Sequence, residues 1–304
     1  MKTLNIEEFS KEMKRLVQER LGDDIVVEVR DIDKNNSTHK KALSINESGS
    51  SIGTIIYLGG YYADYISNKD LDVLADMIER SYRDNRGDDL EINTKNILDF
   101  EQAKEKICYE LINYEENKEM LESLPHRRVL DLAVVYKLIV KKEAKGSMST
   151  KVTNKLMEIW KITEEDLWNL AEQNTVRLLK IKFMDSYLMA VEMKALGDPI
   201  AMIYGGADWN KLYILTNEDI VNGACLILNK VIMRSLAEKF GHGFMIVPSS
   251  IHETLLVNEE FDNEERAAEL KEIISKVNCT LRKEDILSNN LYYWDMERDE
   301  LRMV

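Results

Sequence analysis

The densest run of reactive side chains is Pro248–Ser249–Ser250–Ile251–His252–Glu253. It brings two hydroxyls, an imidazole and a carboxylate into one short stretch. A nucleophilic hydroxyl needs a base within hydrogen-bond reach, and the base needs a third group to orient it. Ser249, Ser250, His252 and Glu253 are the right types for a small hydrolase. Chain neighbours rarely reach that geometry, because known triads draw their members from separate loops. Serines between two strands also serve a tight turn, where their hydroxyls satisfy backbone N–H groups. The turn is the favoured reading and the hydrolase the alternative.

The histidines, His39, His126, His242 and His252, show neither HxH nor HExxH spacing. One three-ligand zinc set is conceivable: His242, His252 and Glu253, if the two imidazoles approach across paired strands. Nothing in the spacing requires it, so the expectation is no metal and no cofactor. Cys108, Cys225 and Cys279 form no metal-type pair and no disulfide framework, which suits a reducing cytoplasm. Cys225 and Cys279 read as small buried side chains. Asn222–Gly223 opens an apolar helix whose first N–H groups can hold an anion, but Glu218 and Asp219 nearby favour plain capping. Asn174, beside an apolar stripe, reads as a tie to a neighbouring backbone. Arg127, Arg128, Lys141 and Lys142 flank a long strand and read as edge protection.

These groups must be positioned by a chain of 304 residues, long enough for one large domain or two modest ones. With 41 basic and 55 acidic side chains the formal charge is −14, a poor match for phosphate backbones. No apolar run approaches the ~20 residues of a membrane span, and the first residues lack a signal-peptide core. The expectation is a cytoplasmic protein with no nucleic-acid or membrane partner.

Asn5, with Glu8 three residues on, marks a capping box, and Ile6, Phe9, Met13, Leu16 and Val17 follow at helical spacing up to Gly22. Alternation around Ile25–Arg30, Lys41–Ile45 and Ile52–Leu58 predicts a three-strand meander, and a helix starts near Asn68. Residues 1–90 thus read as an α+β subdomain and 85–94 as a linker. In residues 91–304 the spacing predicts a long helix from Asp99 to Leu124. A strand follows with Leu130 to Val140 on every second position, one face covered. Thr163 and Asp166 cap a further helix; Phe183–Leu196 reads as another, and Gly197–Asn210 as a loop. Leu212–Thr216 is a strand, Gly223–Phe240 a broad apolar helix, and Phe244–Val247 with Thr254–Val257 a strand pair. Asp262 caps a helix, and two terminal strands close the sheet. The fold class is α+β, the larger part a mainly antiparallel sheet covered by helices.

Five segments occur in order: IYLGGYYADY, LWNLAEQNTVRLL, LYILTNEDIVNGA, VPSSIHETLLV and LSNNLYYWD. In these the chain resembles an uncharacterised family, a domain of unknown function common in gut Firmicutes. It is more distantly similar to the YtpQ-like family of unknown function. The resemblance implies a bacterial family protein and brings no reaction or ligand. Gly59–Gly60 departs from the polar or proline-containing stretch expected there. The sequence favours a non-enzymatic interaction or regulatory module with a protein partner docking on an exposed sheet face or on Gly197–Asn210. The alternative is a small hydrolase or metal-dependent enzyme centred on the PSSIHE segment.

Overall fold

A computed structural model describes residues 3–48, 53–85, 94–143, 146–185, 212–261 and 264–304. The chain divides into two compact units, Met1–Asn93 and Thr94–Val304. It is an α+β protein built on mainly antiparallel sheets.

In the first unit, helix α1 (Ile6–Leu21) begins at the expected capping box: the Asn5 side chain accepts from the Glu8 N–H and the Glu8 carboxylate from the Asn5 N–H, both at 2.9 Å. Gly22 ends it at φ +81°, a conformation open to glycine and costly for a residue with a Cβ. Strands β1 (Ile25–Lys34), β2 (Thr38–Glu47) and β3 (Gly53–Tyr57) form the meander, all antiparallel. Registers Val27↔Ile45 and Leu43↔Ile56 turn their apolar face onto Phe9 and Met13 of α1. Leu74 and Ile78 of α3 (Leu71–Asn85) complete this core. Helix α2 (Gly59–Ile66) is an addition to the expected elements, with Gly59–Gly60 as its first turn. Residues 86–93, most of the expected linker, lie outside the described residues.

The second unit corrects several expectations, the first of them outright. The predicted helix from Asp99 to Leu124 is three things. After the short helix α4 (Thr94–Leu98), the stretch holds the short helix α5 (Phe100–Ala103), then strand β4 (Ile107–Asn113), then α6 (Lys118–Leu121). Strand β4 is buried from Ile107 to Ile112, so no polar alternation distinguishes it from a helix. Strand β5 (His126–Val129) turns through Leu130, at φ +56°, into β6 (Leu132–Glu143). Along one edge β6 pairs with β4; along the other it pairs first with β5 and then with β7 (Gly146–Lys151). The period of two holds, but both faces are covered rather than one. Leu132, Val134, Tyr136 and Leu138 enter the main core, and Ala133 and Val135 pack on Ile112, Leu121 and Leu124.

Helix α7 (Asn154–Trp160) leads to α8 (Glu164–Leu179), opened by the expected Thr163–Asp166 capping box. Phe183 does not start a helix; it lies in strand β8 (Ile181–Asp185), paired with β9 (Leu212–Asn217). Residues 186–211, including Gly197–Asn210, lie outside the described residues. The expected helix Gly223–Phe240 is split. A 3-10 turn (Gly223–Leu228) gives way to α9 (Lys230–Phe240) at Asn229, whose side chain accepts from the Ile232 N–H at 3.0 Å and restarts the helix. Strands β10 (Phe244–Val247) and β11 (Thr254–Val257) pair as expected. Helix α10 (Glu264–Asn278) follows; its expected cap, Asp262, lies outside the described residues. Strands β12 (Tyr292–Asp295) and β13 (Glu300–Met303) close a six-stranded sheet in the order β13-β12-β10-β11-β9-β8.

Candidate functional site

The PSSIHE segment is the β10–β11 connection, and three stretches of chain are tied together around it. The carbonyls of Pro248 and Ser249 accept from the N–H groups of Ser288 and Leu287, each at 3.0 Å. The Ile251 N–H donates to the Asp285 carbonyl at 2.9 Å, and the Ile251 carbonyl accepts from Ala224 at 3.2 Å. The His252 carbonyl takes the Gly223 N–H at 2.9 Å and the Thr216 hydroxyl at 2.8 Å. Ser249 and Ser250 are buried, and the Ser250 hydroxyl accepts from the His252 N–H at 3.0 Å. This is the serine-turn role: a hydroxyl satisfying a local backbone donor.

The imidazole is committed on both sides. Nδ1 faces the Asn222 N–H at 3.3 Å, and Nε2 lies 3.2 Å from the Asp285 carboxylate. A backbone amide can only donate, so Nδ1 is the accepting nitrogen and Nε2 is the one beside the Asp285 carboxylate. The Nδ1 lone pair is thus directed at a backbone amide rather than at a serine hydroxyl. The Asp285 carboxylate is itself bound by Arg282 at 2.7 Å. Glu253 is half-buried just before β11. His242 comes just before β10 and His252 just before β11. In an antiparallel pair those positions are opposite ends, and the His242 ring bonds the neighbouring Gly243 carbonyl at 2.6 Å. The structure therefore joins His252 to Asp285 and keeps it apart from His242. Among the described residues no cluster of three or more His, Cys, Asp or Glu has a metal-holding arrangement.

The loop facing His252 is under backbone strain. Ile220 (φ +51°) and Asn222 (φ +54°) are left-handed, which is costly for a β-branched residue. Asn217 holds the loop closed, its side chain accepting from the Val221 N–H at 3.2 Å and donating to the Val221 carbonyl at 2.7 Å. At Gly223 a Cβ would stand 2.7 Å from the His252 carbonyl oxygen and 2.9 Å from the Asn217 nitrogen, so only glycine admits this approach.

Asn222 also leads inward. Its side-chain amide donates to Glu110 at 2.8 Å, and the Glu110 carboxylate is held by Lys151 at 2.6 Å and Lys137 at 3.5 Å. Lys137 and Lys151 stand opposite each other across β6 and β7, like charges that Glu110 on β4 reconciles. Burial alone would raise the Glu110 pKa, but the two ammonium groups outweigh it and bring the value down to about 2. Burial would discharge Lys137, and the Glu110 carboxylate keeps it protonated, with its pKa above the usual lysine value. Cys108, directly across from Lys137, is pushed up to about 11 by burial, and Cys225 is raised further for the same reason. Both are inert thiols. Cys279, in contrast to the expectation of burial, is exposed.

Glu110, Lys151 and Asp285 are not singled out by residue spacing, which places Lys137 only as a strand residue. A signal is present all the same: a lone acid inside Ile107–Ile112 and a lone base inside Val134–Val140, each surrounded by apolar neighbours. A buried charge demands a partner of opposite sign, and these two are partners.

The other residues weighed for chemistry are occupied structurally. Asn174 donates to the Lys104 carbonyl at 2.8 Å, the backbone tie expected of it. Arg127 pairs with Glu164 and Glu165 and lies over Trp168, and Arg128 lies over Tyr114. Asp131, in the β5–β6 turn, accepts from Ser288 at 2.7 Å, from Asn290 at 2.9 Å and from the Tyr292 hydroxyl.

The segments that carry these contacts lie within the span of a family model. The model of a family of unknown function, DUF5688, matches residues 6–296. The chain belongs to that family. The match takes in the β10–β11 connection, Asp285 and the LSNNLYYWD segment whose side chains bind Asp131. A comparison with curated proteins finds no match, nor does one with solved structures. Among the described residues no helix is long and apolar enough to cross a membrane.

Proposed function

We propose that this member of the DUF5688 family is a non-catalytic interaction module that acts through a protein partner. The observation carrying that reading is the state of His252. Both ring nitrogens are spent on holding the turn, one on the Asn222 amide and one on Asp285, and the Ser250 hydroxyl is spent beside them. A general base needs a free lone pair aimed at the proton it removes. Here the imidazole works as a two-sided clamp between loops. The proposal includes a cytoplasmic, bacterial setting, in keeping with three free cysteines, and the distant likeness to the YtpQ-like family.

The test is a turnover panel on the purified full chain, with esters, phosphoesters and peptide amides, each with and without added Zn²⁺, Mn²⁺ or Mg²⁺. His252→Ala and Ser249→Ala are run beside it. The expected result is no turnover that the substitutions change. Turnover abolished by both substitutions in a protein that still folds would overturn the proposal and put a hydrolase at PSSIHE in its place.

A further inference from the structure

His252 joins separate stretches of the second unit at a point that still meets solvent. Its side chain is 25% exposed, so the ring can exchange protons with water while its neighbours hold it. One neighbour is the backbone N–H of Asn222, which donates to Nδ1 at 3.3 Å. The other is the Asp285 carboxylate, 3.2 Å from Nε2, in the 3-10 turn Lys283–Asp285. The two contacts answer a proton differently. Nδ1 accepts from an amide only while it is bare, whereas a carboxylate attracts the ring more strongly once the ring is charged.

The Glu218–Asn222 loop depends on such anchors. Ile220 and Asn222 both stand at positive φ, and the tip side chains Ile220 and Val221 are exposed, so burial does little to offset the strain. Hydrogen bonds hold the loop instead. Asn217 takes both backbone groups of Val221, and Gly223 bonds the His252 carbonyl. Asn222 is the junction: its N–H ends on the ring, and its side chain ends on Glu110, which Lys137 and Lys151 hold. Other charges surround the ring. Asp285 is bound by Arg282, and Lys283 and Glu284 lie between them in the chain. Glu253 follows His252 directly, and the loop carries Glu218, which pairs with Lys180, and Asp219.

We infer that His252 is a proton-operated latch on the Glu218–Asn222 loop. With the ring neutral, Nδ1 accepts the Asn222 N–H and the loop is closed. When the ring takes up a proton, Nδ1 gains an N–H that faces the Asn222 N–H, and two donors cannot bond each other. The imidazolium stays beside Asp285, Asn222 loses one of its two anchors, and the strained loop moves away from the ring. Proton uptake and loop opening are therefore linked. The closed form needs Nδ1 bare and the open form does not, so the open form binds the proton better. Closure is complete while the ring is neutral and is lost as the pH falls through the titration of the imidazole. This latch goes beyond the interaction-module reading and does not rest on it.

The experiment is hydrogen–deuterium exchange on the full chain at about pH 7.5 and about pH 5.5, either side of the imidazole range. Each amide's rate is divided by that of an unstructured peptide at the same pH. Protection of the Val221 and Asn222 amides is expected to fall at least about fivefold at the lower pH, while α1 keeps its protection. His252→Asn offers an amide oxygen to the Asn222 N–H and takes up no proton, so its loop is expected to be equally protected at both. Asp285→Asn removes the charge that favours the imidazolium, and the fall is expected to move to lower pH. Unchanged protection in the unsubstituted chain would overturn the inference. So would a fall confined to Asn222, which is a lost bond without a moving loop, or the same fall in His252→Asn, which would assign it to a carboxylate. An unmoved or higher midpoint in Asp285→Asn would also overturn it. Should His252→Asn fail to fold by circular dichroism, the midpoint of the fall is compared with that of the His252 ring signal in NMR. The two are expected to agree within about half a pH unit, and a wider gap overturns the latch.

Discussion

The PSSIHE turn and an apolar trough between α8 and α9, lined by Phe183, Leu215 and Val231, belong to the same unit and have opposite characters. At the turn, chemically versatile residues are buried and bound: the hydroxyl of Ser250 and both nitrogens of His252 have partners within the fold. At the trough, ordinary residues are left in water: Val231 is 68% exposed and Ile181, also in the lining, 41%. At the PSSIHE turn, reactive side-chain type therefore marks groups that are bonded within the fold. A group already satisfied inside the fold has little free energy to offer a ligand, because binding must first break what holds it.

Substitutions sharpen that contrast. The largest effect is expected at the inner end of the turn's network. Glu110→Ala strands Lys137 as a buried charge and is expected to cost about 3–5 kcal/mol, read from urea unfolding. The pH dependence of the same pair has a definite sign. The folded-state pKa of Glu110 lies below its unfolded value of 4.5, at about 2. Its stabilisation is therefore complete above pH 4.5 and is lost as the pH falls through about 2. The acid limb of the unfolding free energy should flatten in a variant lacking this carboxylate, after comparison of chains folded at neutral pH. Next in size, Gly223→Ala forces a methyl onto the His252 carbonyl and is expected to destabilise by about 1–3 kcal/mol. The smallest effect belongs to the trough: Val231→Asp is expected to move stability by no more than about 0.5 kcal/mol, measured in the same titration. A large loss there, or a negligible one at Gly223, would erase the distinction between the two regions.

How far residue patterns foretold this depends on how local the determinants are. The first unit reads well because its elements follow one another and bury one face each. The Asn5–Glu8 box, the Gly22 stop, and the alternation of Ile25 and Val27 in β1 and of Leu43 and Ile45 in β2 are all short-range signals. In the second unit the same rules misread Ile107–Ile112, since a strand covered on both faces loses its polar alternation. They also ran past Asn229, where a single cap divides what looked like one helix. At the candidate site, Ser249, Ser250 and His252 were visible as residue types. Their roles were not, because Asp285, Asn222 and Thr216 come from distant positions and act largely through backbone groups that carry no sequence signature.

Asp131 adds a consequence for how the second unit comes into being. The carboxylate sits in the turn between β5 and β6, yet its three partners, Ser288, Asn290 and Tyr292, arrive more than 150 positions later. Closing so long a loop is slow and entropically opposed. During synthesis the early hairpin is made more than 150 positions before these partners, and its acid stays hydrated until they arrive. The turn between β5 and β6 therefore reaches its final bonding only once the Ser288–Tyr292 stretch has been made.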